Sequence, residues 1–232
     1  MQASTNPNCI PVIAIDGPSA SGKGSVAERV ASVLSYHYLD SGALYRIVAL
    51  TAKNNQTAWS DAAALGALVP TLKIAFRNST IYLNEQNVTE EVRSEAMSNG
   101  ASQVAIHSEV RSALLELQHS FRQAPGLVAD GRDMASVVFT DALLKIFLTA
   151  SVEIRAERRF KQLINKGIAS DYERILQDLK KRDLRDSTRT SAPLMQTKDA
   201  LLLDTSNRSI GESVDFVLSA YKKHSFPTIK PH

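Results

Sequence analysis

A glycine-rich segment between an apolar run and a helical pattern constrains this chain more than any other feature. Residues 12–15 are apolar, residues 17–25 read Gly-Pro-Ser-Ala-Ser-Gly-Lys-Gly-Ser, and residues 26–34 carry apolar side chains at helical spacing. Glycines let backbone N–H groups turn inward around an anion, and the following helix N-terminus adds further N–H groups and a positive dipole end. The sequence therefore predicts a strand, a phosphate loop and a helix in succession.

The predicted phosphate loop has a lysine directly after its second glycine. Lys23 can reach the outer phosphates of a nucleotide as a point charge. Gly24 stands where many phosphate loops have a Ser or Thr that holds Mg²⁺, and Ser25 follows one residue later. We therefore expect Ser25 to contact Mg²⁺, either directly or through a water molecule. The alternative interpretation is a glycine-rich turn with a surface lysine, which the flanking strand and helix disfavour.

The composition is that of a soluble globular chain with one main core. The 232 residues are 44% hydrophobic and 22% charged, and no apolar run approaches the length of a membrane span. Residues 1–10 are polar, lack a secretory signal pattern and are expected to form a flexible tail, which holds the single cysteine, Cys9. A single cysteine cannot form an intramolecular disulfide, which fits the reducing cytoplasm that we expect, and the lack of a long apolar run predicts no membrane partner.

Basic residues are concentrated in one part of the chain. The net charge is +3, which is too small to require a nucleic-acid partner. Residues 151–190 contain eleven Lys or Arg and seven Asp or Glu, a local excess of four positive charges. Such a concentration predicts a polyanion bound at one place. A solvated charged face is the alternative for Arg182, Arg185 and Arg189, which share one side of a predicted helix.

Five short apolar segments alternate with helical patterns. The expected strands are residues 12–16, 37–39, 127–130, 144–148 and 200–204. Strands separated by helices run parallel in one sheet, with the helices packed on its faces. The sequence therefore predicts a three-layer α/β fold around a central five-stranded parallel sheet.

One segment interrupts this alternation. Residues 72–77 and 80–84 alternate in hydropathy around a polar Asn78-Ser79 turn, which predicts a β-hairpin with no crossover helix. Because such a hairpin does not belong in a parallel sheet, we predict a small insert. The expected divisions are a core of residues 11–61 and 96–232, an insert at 62–95, and a helical hairpin within the core at about 155–189. The run Ser170-Asp171-Tyr172-Glu173 predicts a capping box that opens the second helix of that hairpin.

Two further segments place polar side chains at the ends of predicted elements. Asp130-Gly131-Arg132-Asp133 follows a buried strand, at the edge where open α/β sheets bind ligands, although a polar turn would look the same. Ser41, Tyr45 and Arg46 lie in the first turns of a predicted helix. Taken alone, a helix cap, a tyrosine at the edge of the core and a solvated arginine would explain them more simply.

Five segments together resemble the bacterial cytidylate kinases, a family of nucleoside monophosphate kinases, over nearly the whole chain. The matching segments are the phosphate loop at 17–25, Leu-Asp-Ser-Gly-x-x-Tyr-Arg at 39–46, Ala-Ser-Gln-Val-Ala at 101–105, Asp-Gly-Arg-Asp-Met at 130–134 and Arg-Asp-x-Arg-Asp-x-x-Arg at 182–189. The phosphate loop alone indicates only a nucleotide, whereas the other four in this order are specific to the family. The resemblance implies a P-loop NTPase fold in which 62–95 binds the monophosphate and 155–189 is a lid.

The resemblance implies an enzyme that transfers the γ-phosphoryl group of ATP to CMP or dCMP with the help of Mg²⁺. The implied donor-binding residues are Gly17, Pro18, Ser19, Ala20, Ser21, Gly22, Lys23, Gly24, Ser25 and Arg158. The implied acceptor-binding residues are Ser41, Tyr45, Arg46, Ser102, Arg111, Arg132, Asp133, Arg182, Asp186 and Arg189, of which Ser102, Arg111 and Asp133 would read the cytosine. Lys23, Arg132, Arg182 and Arg189 are the implied catalytic residues. Which of Arg155, Arg158 and Arg159 touches a phosphate stays open.

The reaction itself explains why so many arginines are present. Phosphoryl transfer between two nucleotides brings two polyanions into line, and the attacking phosphate oxygen is already anionic, so no general base is required. Positioning and positive charge must then supply catalysis, and a closing lid would exclude water. The five histidines show no ligand-like grouping, and we assign them no catalytic role.

Two other functions stay open. A kinase of another small acceptor, such as a different monophosphate or shikimate, would share this architecture, and the base-reading residues argue against it. A nucleotide- or RNA-binding module could use residues 151–190 to hold a phosphate backbone, but it would need exposed aromatic residues there for stacking. That window contains only Phe160 and Tyr172. We therefore expect small-molecule nucleotides as partners, no nucleic acid, and a monomer.

Overall fold

The computed structural model describes residues 10–77 and 80–225. The described chain forms two compact units: one contains the chain up to Leu39 and from Phe121 onward, and the other is Asp40–Ser120. Residues 1–9 of the predicted tail, with Cys9, and the predicted Asn78-Ser79 turn lie outside the described residues. The predicted division into core, insert and lid stays a prediction.

The described residues form the following elements in chain order. The strands are β1 (Val12–Asp16), β2 (His37–Asp40), β3 (Ile74–Arg77), β4 (Thr80–Leu83), β5 (Gln86–Asn87), β6 (Leu127–Gly131), β7 (Leu144–Thr149) and β8 (Leu201–Asp204). The α-helices are α1 (Lys23–Leu34), α2 (Ser41–Asn54), α3 (Ala62–Leu68), α4 (Thr89–Arg93), α5 (Glu95–Val104), α6 (Ser108–Ser120), α7 (Val152–Asn165), α8 (Tyr172–Thr188) and α9 (Ile210–Ser225). A single 3₁₀ turn follows α3, and a π-helical turn (Met134–Val138) follows β6.

The larger unit is built on a five-stranded parallel sheet with the order β2-β6-β1-β7-β8. In the middle of the sheet, β1 pairs in parallel with both β6 and β7, and Asp16 lies beside Gly131 in this register. The carboxyl ends of β1 and β6 therefore lie side by side. All five predicted strands are present, with each boundary within one residue, so the predicted α/β fold with a parallel sheet is confirmed.

Helices α1 and α9 pack on the central strands. Val26 and Val30 of α1 and Val217 of α9 join Ile13 and Ile146 in one buried cluster. All five residues of β1 are buried, which means that both faces of this strand are covered. Strands covered on both faces read as continuous apolar runs, and this property made the inner strands recognisable in the sequence.

Helices α7 and α8 form the predicted hairpin, which turns at Lys166 and Gly167. Gly167 has a φ of 73°, a left-handed conformation that suits glycine at the end of a helix. The start of α8 differs from the predicted capping box. Asp171 Oδ1 accepts the N–H of Arg174 at 2.9 Å, whereas Ser170 Oγ donates to Ile168 O. Aspartate caps as well as serine, and here it takes that position one residue later.

The smaller unit combines an antiparallel sheet with helices α2 to α6. The order β3-β4-β5 contains the predicted hairpin, in which Ile74 pairs with Leu83 and Phe76 with Ile81. The two-residue strand β5 was not predicted, because two residues are too few to show a hydropathy pattern. Helices α2 and α5 lie close together at Gly100, where a Cβ atom would lie 2.8 Å from Ala49 Cβ.

None of the helices in the described stretches combines the length and the apolar character that crossing a bilayer would require.

Candidate active site

The segment between β1 and α1 has the backbone of an anion-binding loop. Gly22 caps α1 with a φ of 92°, and Ala20 has a φ of 59°. A Cβ atom on Gly17 would lie 1.9 Å from Leu148 O, so the loop begins in direct contact with the backbone of β7 and leaves no room for a side chain. The predicted succession of strand, phosphate loop and helix is present.

Lys23 is the first residue of α1, and it folds back over the phosphate loop. Its Nζ donates to Pro18 O at 3.3 Å, which places the ammonium group at the loop itself. Ser25 is exposed in the first turn of the same helix. A Cβ atom on Gly24 would meet Tyr38 Oη at 3.6 Å and Asp130 Oδ2 at 3.8 Å, which are ordinary contact distances. Lack of space therefore does not explain the glycine at position 24.

Asp130 lies beside the start of α1 and was not assigned an individual role from the sequence. Its carboxyl is buried, and Oδ1 accepts a hydrogen bond from Tyr38 Oη at 2.8 Å. Hard oxygen ligands of this kind, used one or two at a time, suit Mg²⁺, which keeps several of its waters. Asp130, whose Oδ2 lies near Gly24, and Ser25, which follows Gly24 in the chain, carry such oxygens and therefore fit as its protein ligands. The sequence feature that could have indicated this role of Asp130 was its position near the end of the predicted strand that became β6, the neighbour of β1.

Arg158 is bound to the phosphate loop and to Thr205. Its Nη1 donates to Ser21 O at 3.3 Å and to Thr205 Oγ1 at 3.1 Å, and its Nη2 donates to Thr205 O at 2.5 Å. Its predicted contact with a donor nucleotide stays a prediction. Thr205 is buried just after β8, and nothing in the sequence pattern distinguished it from other residues after a strand.

Three arginines of the larger unit surround the carboxyl of Asp186, which is 4% exposed. Arg132 Nε donates to Asp186 Oδ2 at 2.8 Å. Burial alone would raise the pKa of Asp186, but the charges of Arg132, Arg182 and Arg189 and the hydrogen bond from Arg132 hold the pKa below its ordinary value. These arginines come from two segments about fifty residues apart in the chain, so the structure brings together residues that the sequence leaves separate.

Arg189 and Asp133 extend this group. Arg189 Nη2 lies 3.9 Å from Asp133 Oδ1, with both side chains almost fully buried, and Arg189 Nε donates to Ala192 O at 2.8 Å. We refer to Arg132, Asp133, Arg182, Asp186 and Arg189 as the arginine–aspartate cluster. All five members were predicted acceptor-binding residues.

Asp16 joins the end of β1 to the turn that follows the cluster residues Arg132 and Asp133. Its two carboxylate oxygens accept the N–H groups of Met134 at 2.9 Å and Ala135 at 2.8 Å. Burial raises the pKa of Asp16 to about 6, with the charge of Asp133 adding to this rise. No role for Asp16 was predicted from the sequence, because an aspartate at the end of a strand looks like an ordinary boundary residue.

The smaller unit contains three predicted acceptor-binding residues that contact neighbouring side chains, namely Ser41, Tyr45 and Arg111. Gln118 Nε2 donates to Ser41 Oγ at 2.9 Å, and both residues are buried. The guanidinium of Arg111 lies over the ring of Tyr45, 5.6 Å from its centroid, and Nη1 donates to Ala105 O at 3.2 Å. A cation over an aromatic face is stabilised by the ring quadrupole, so the structure brings these two predicted residues into contact.

Two more predicted acceptor-binding residues lie in the smaller unit. Arg46 Nη1 donates to Val92 O at 3.4 Å, and Ser102 is buried in α5. Ser102 and Arg111, two of the three predicted base-reading residues, belong to this unit, whereas Asp133 belongs to the larger one.

Comparison with known proteins decides the family. The family model described as cytidylate kinase matches residues 13–223. The chain belongs to the cytidylate kinase family. The cytidylate kinase of Polynucleobacter asymbioticus is 56% identical over 215 residues, which cover 93% of this chain and 98% of that one. The cytidylate kinase of Polynucleobacter necessarius is 57% identical over 211 residues, covering 91% and 98% of the two chains.

Membership of the cytidylate kinase family confirms the resemblance found in the five sequence segments, and it makes the chain a nucleotide-binding kinase. Among solved structures, a gluconokinase from Sinorhizobium meliloti covers 92% of each chain with 14% identity and a TM-score of 0.46, a likeness too remote to bear on fold or reaction.

Proposed function

We propose that this chain transfers the γ-phosphoryl group of ATP to CMP or dCMP and gives ADP with CDP or dCDP. The observation that carries this proposal is the presence of a phosphate loop and a separate buried arginine–aspartate cluster in the larger unit of a cytidylate kinase family member. A reaction between two nucleotides needs positive charge for each of them, and these two features supply it.

On the donor side, we propose that residues 18–25 bind the phosphates of ATP through their backbone N–H groups, which all but Pro18 possess, and through the Lys23 side chain. Ser25 and Asp130 would hold Mg²⁺, which neutralises charge on the donor phosphates. Arg158 would add a further contact from α7. The positive φ of Gly22 and the helix dipole of α1 support this assignment, because both favour an anion at the start of the helix.

On the acceptor side, we propose that Arg132, Arg182 and Arg189 contact the monophosphate and the transferred group. Asp186 would orient these guanidinium groups and contact the sugar or phosphate end of the acceptor nucleotide. Support comes from the partly buried hydrogen bond between Arg132 and Asp186, since a guanidinium held in place needs less ordering when the substrate arrives.

In the smaller unit, we propose that Arg46 contacts the monophosphate, that Ser41 contacts its sugar end and that Tyr45 lines the acceptor pocket. For the base, Ser102 and Arg111 of the smaller unit and Asp133 of the larger unit would each form polar contacts to cytosine. Buried polar groups discriminate strongly, because an acceptor with the wrong base leaves them unpaired. The burial of Ser102 and Asp133 supports this proposal.

Catalysis by these residues needs no general base. The attacking oxygen of the monophosphate is already an anion, so the protein has to align it with the γ-phosphate and stabilise the charge that spreads over the moving group. Residues 155–189 would close as a lid and exclude water, and residues 62–95 would bind the monophosphate. We also propose that the enzyme acts as a monomer in the cytoplasm.

The alternative of an RNA-binding module has little support in the basic helical hairpin. Phe160 and Tyr172 pack edge to face with ring centroids 6.4 Å apart. Tyr172 also packs against the buried cluster of Ala156, Leu176 and Leu179 between α7 and α8. Both aromatic side chains are thus engaged within the protein, whereas stacking on bases would require exposed rings.

The test is coupled ADP release from ATP and Mg²⁺ with CMP, dCMP, UMP, AMP and shikimate as acceptors in turn. We expect turnover with CMP or dCMP to exceed turnover with AMP and shikimate by about a hundredfold or more, as polar base reading permits. The variant Asp133→Asn should raise KM for CMP far more than KM for ATP. Preference for AMP or shikimate would contradict the proposed acceptor, and equal changes in both KM values would contradict the role of Asp133.

A further inference from the structure

Arg155 joins three parts of the larger unit through one buried side chain. The residue lies in the first turn of α7 and is 4% exposed. Its Nε donates to Ala150 O at 2.9 Å, and its Nη1 donates to Ser19 O of the phosphate loop at 3.1 Å. Asp183 of α8 accepts two more bonds, from Nη1 at 3.1 Å and from Nη2 at 2.5 Å. Four of its five N–H donors are therefore used inside the protein.

The bond to Ser19 O determines how the next peptide group is oriented. In a trans peptide the C=O and the N–H point in opposite directions, so a carbonyl bound on one side directs the N–H of Ala20 to the other side. Ala20 has a φ of 59°, and a residue other than glycine keeps this conformation only where its surroundings hold it. Arg155 is the group that binds the carbonyl directly before it.

Two aspartates on α8 bind arginines from different places. Asp183 and Asp186 are three residues apart and therefore lie on one face of the helix. Asp183 binds Arg155, which reaches the phosphate loop, and Asp186 binds Arg132 after β6. Helix α8 thus connects the phosphate loop to the arginine–aspartate cluster through two ion pairs.

We propose that Arg155, held in place by Asp183, is a positioning residue that sets the phosphate loop for the donor nucleotide. It acts through the carbonyl of Ser19, since most of its donors are already used within the protein. The inference rests on the proposed function only in taking ATP as the donor. Loss of the ion pair frees the Ser19–Ala20 peptide to rotate, so donor binding weakens while acceptor binding by the cluster is retained.

The first experiment compares Arg155→Lys and Asp183→Asn with the wild-type chain and with Asp178→Asn, which removes an exposed carboxylate from the same helix. Lysine keeps the charge but loses the planar fork that binds Ser19 O and Asp183 together. We expect Kd for ATP, measured by calorimetry without acceptor, and KM for ATP to rise on the order of tenfold in both variants. Kd for CMP should change by less than about twofold, and Asp178→Asn should match the wild type.

The second experiment is a double-mutant cycle on Kd for ATP. Because both residues act through one ion pair, Arg155→Met combined with Asp183→Asn should weaken ATP no more than the worse single change does. Circular dichroism and thermal unfolding identify variants that have not folded. If Arg155→Met has not folded, the conservative variant Arg155→Lys replaces it. An unchanged Kd for ATP, or an equal loss of ATP and CMP binding, would overturn the proposal. A wild-type chain that binds ATP but phosphorylates no acceptor would instead contradict the proposed function.

Discussion

The phosphate loop and the arginine–aspartate cluster present positive charge in opposite ways. The loop offers the backbone N–H groups of residues 17–25, except at Pro18, which has none, together with the ammonium group of Lys23. The cluster uses the side chains of Arg132, which follows β6, of Arg182 in α8, and of Arg189, which follows α8. One source of charge is local in the chain and the other depends on the tertiary fold.

This difference determines where each region is vulnerable. Backbone donors are not removed when one side chain replaces another, but they require the left-handed φ of Gly22 and the close approach to β7 that Gly17 permits. Buried guanidinium groups need compensating negative charge, and here Asp186 supplies it, which is why its pKa lies below the ordinary value. The loop should therefore be sensitive to changes of glycine, and the cluster to changes of aspartate.

The largest effect on stability is expected for Asp186→Ala. This change leaves Arg132, whose side chain is 15% exposed, without the carboxylate that accepts its 2.8 Å hydrogen bond. Breaking a buried ion pair from one side lowers the free energy of unfolding by about 3–5 kcal/mol. Urea unfolding of the variant would measure the loss, with the exposed Asp178→Ala as control. A loss below about 1 kcal/mol, the range of surface ion pairs, would show that the cluster does not depend on this aspartate.

Lys23→Ala should have the largest effect on the reaction with little effect on stability. The substitution removes the point charge at the donor phosphates, and loss of one transition-state charge contact lowers turnover by about 10²- to 10³-fold. The measurement is coupled ADP release with CMP, alongside Lys180→Ala, an exposed lysine on α8. Turnover within about threefold of the wild type would remove Lys23 from the mechanism and leave only the backbone as the donor site.

The difference between the phosphate loop and the arginine–aspartate cluster also explains which features could be predicted from the sequence. The phosphate loop could be located because its glycines, its lysine and its flanking elements are contiguous, and the five parallel strands could be placed because buried strands read as apolar runs. The members of the arginine–aspartate cluster were identified through the family resemblance. Their mutual contacts depend on the register between β1 and β6 and on the path of α8, which no local pattern contains.

Several contacts at the site could not be predicted because they form only when distant segments of the chain are placed side by side. Asp16, Asp130 and Thr205 each sit near the end of a strand, where a polar residue usually marks only the boundary. Their roles appear when the strands are placed side by side, because Asp16 then meets the N–H groups of Met134 and Ala135. Arg155 and Arg158 were placed in the lid, and the structure adds their bonds to loop carbonyls.

Asp16 should give stability a pH dependence of unusual sign, because its folded-state pKa lies at about 6 instead of 3.8. The folded chain then holds this proton more tightly than the unfolded chain between about pH 4 and pH 6, so the contribution of Asp16 falls as pH rises through that window. The whole shift corresponds to about 3 kcal/mol. Asp16→Asn stays neutral and should lack this change, so the difference in unfolding free energy between wild type and variant should fall by most of that amount from pH 4 to pH 7. Parallel pH curves would show that Asp16 is ionised throughout and that its two hydrogen bonds outweigh its burial.

The smallest expected effect is a difference in the free energy of unfolding between Gly17→Ala and Gly24→Ala. This comparison is also the most direct test of the loop. A methyl group on Gly17 would lie 1.9 Å from Leu148 O, whereas one on Gly24 would meet its nearest neighbours at 3.6 and 3.8 Å. Overpacking against the backbone of β7 should lower the free energy of unfolding by about 1–3 kcal/mol for Gly17→Ala. Gly24→Ala lies in the first turn of α1 and should be neutral or more stable by up to about 1 kcal/mol, as alanine favours helix. Urea unfolding of both variants provides the measurement. Equal stability would mean that the loop can move away from β7, and backbone angles alone, without the contact to the sheet, would then have to hold its N–H groups in place.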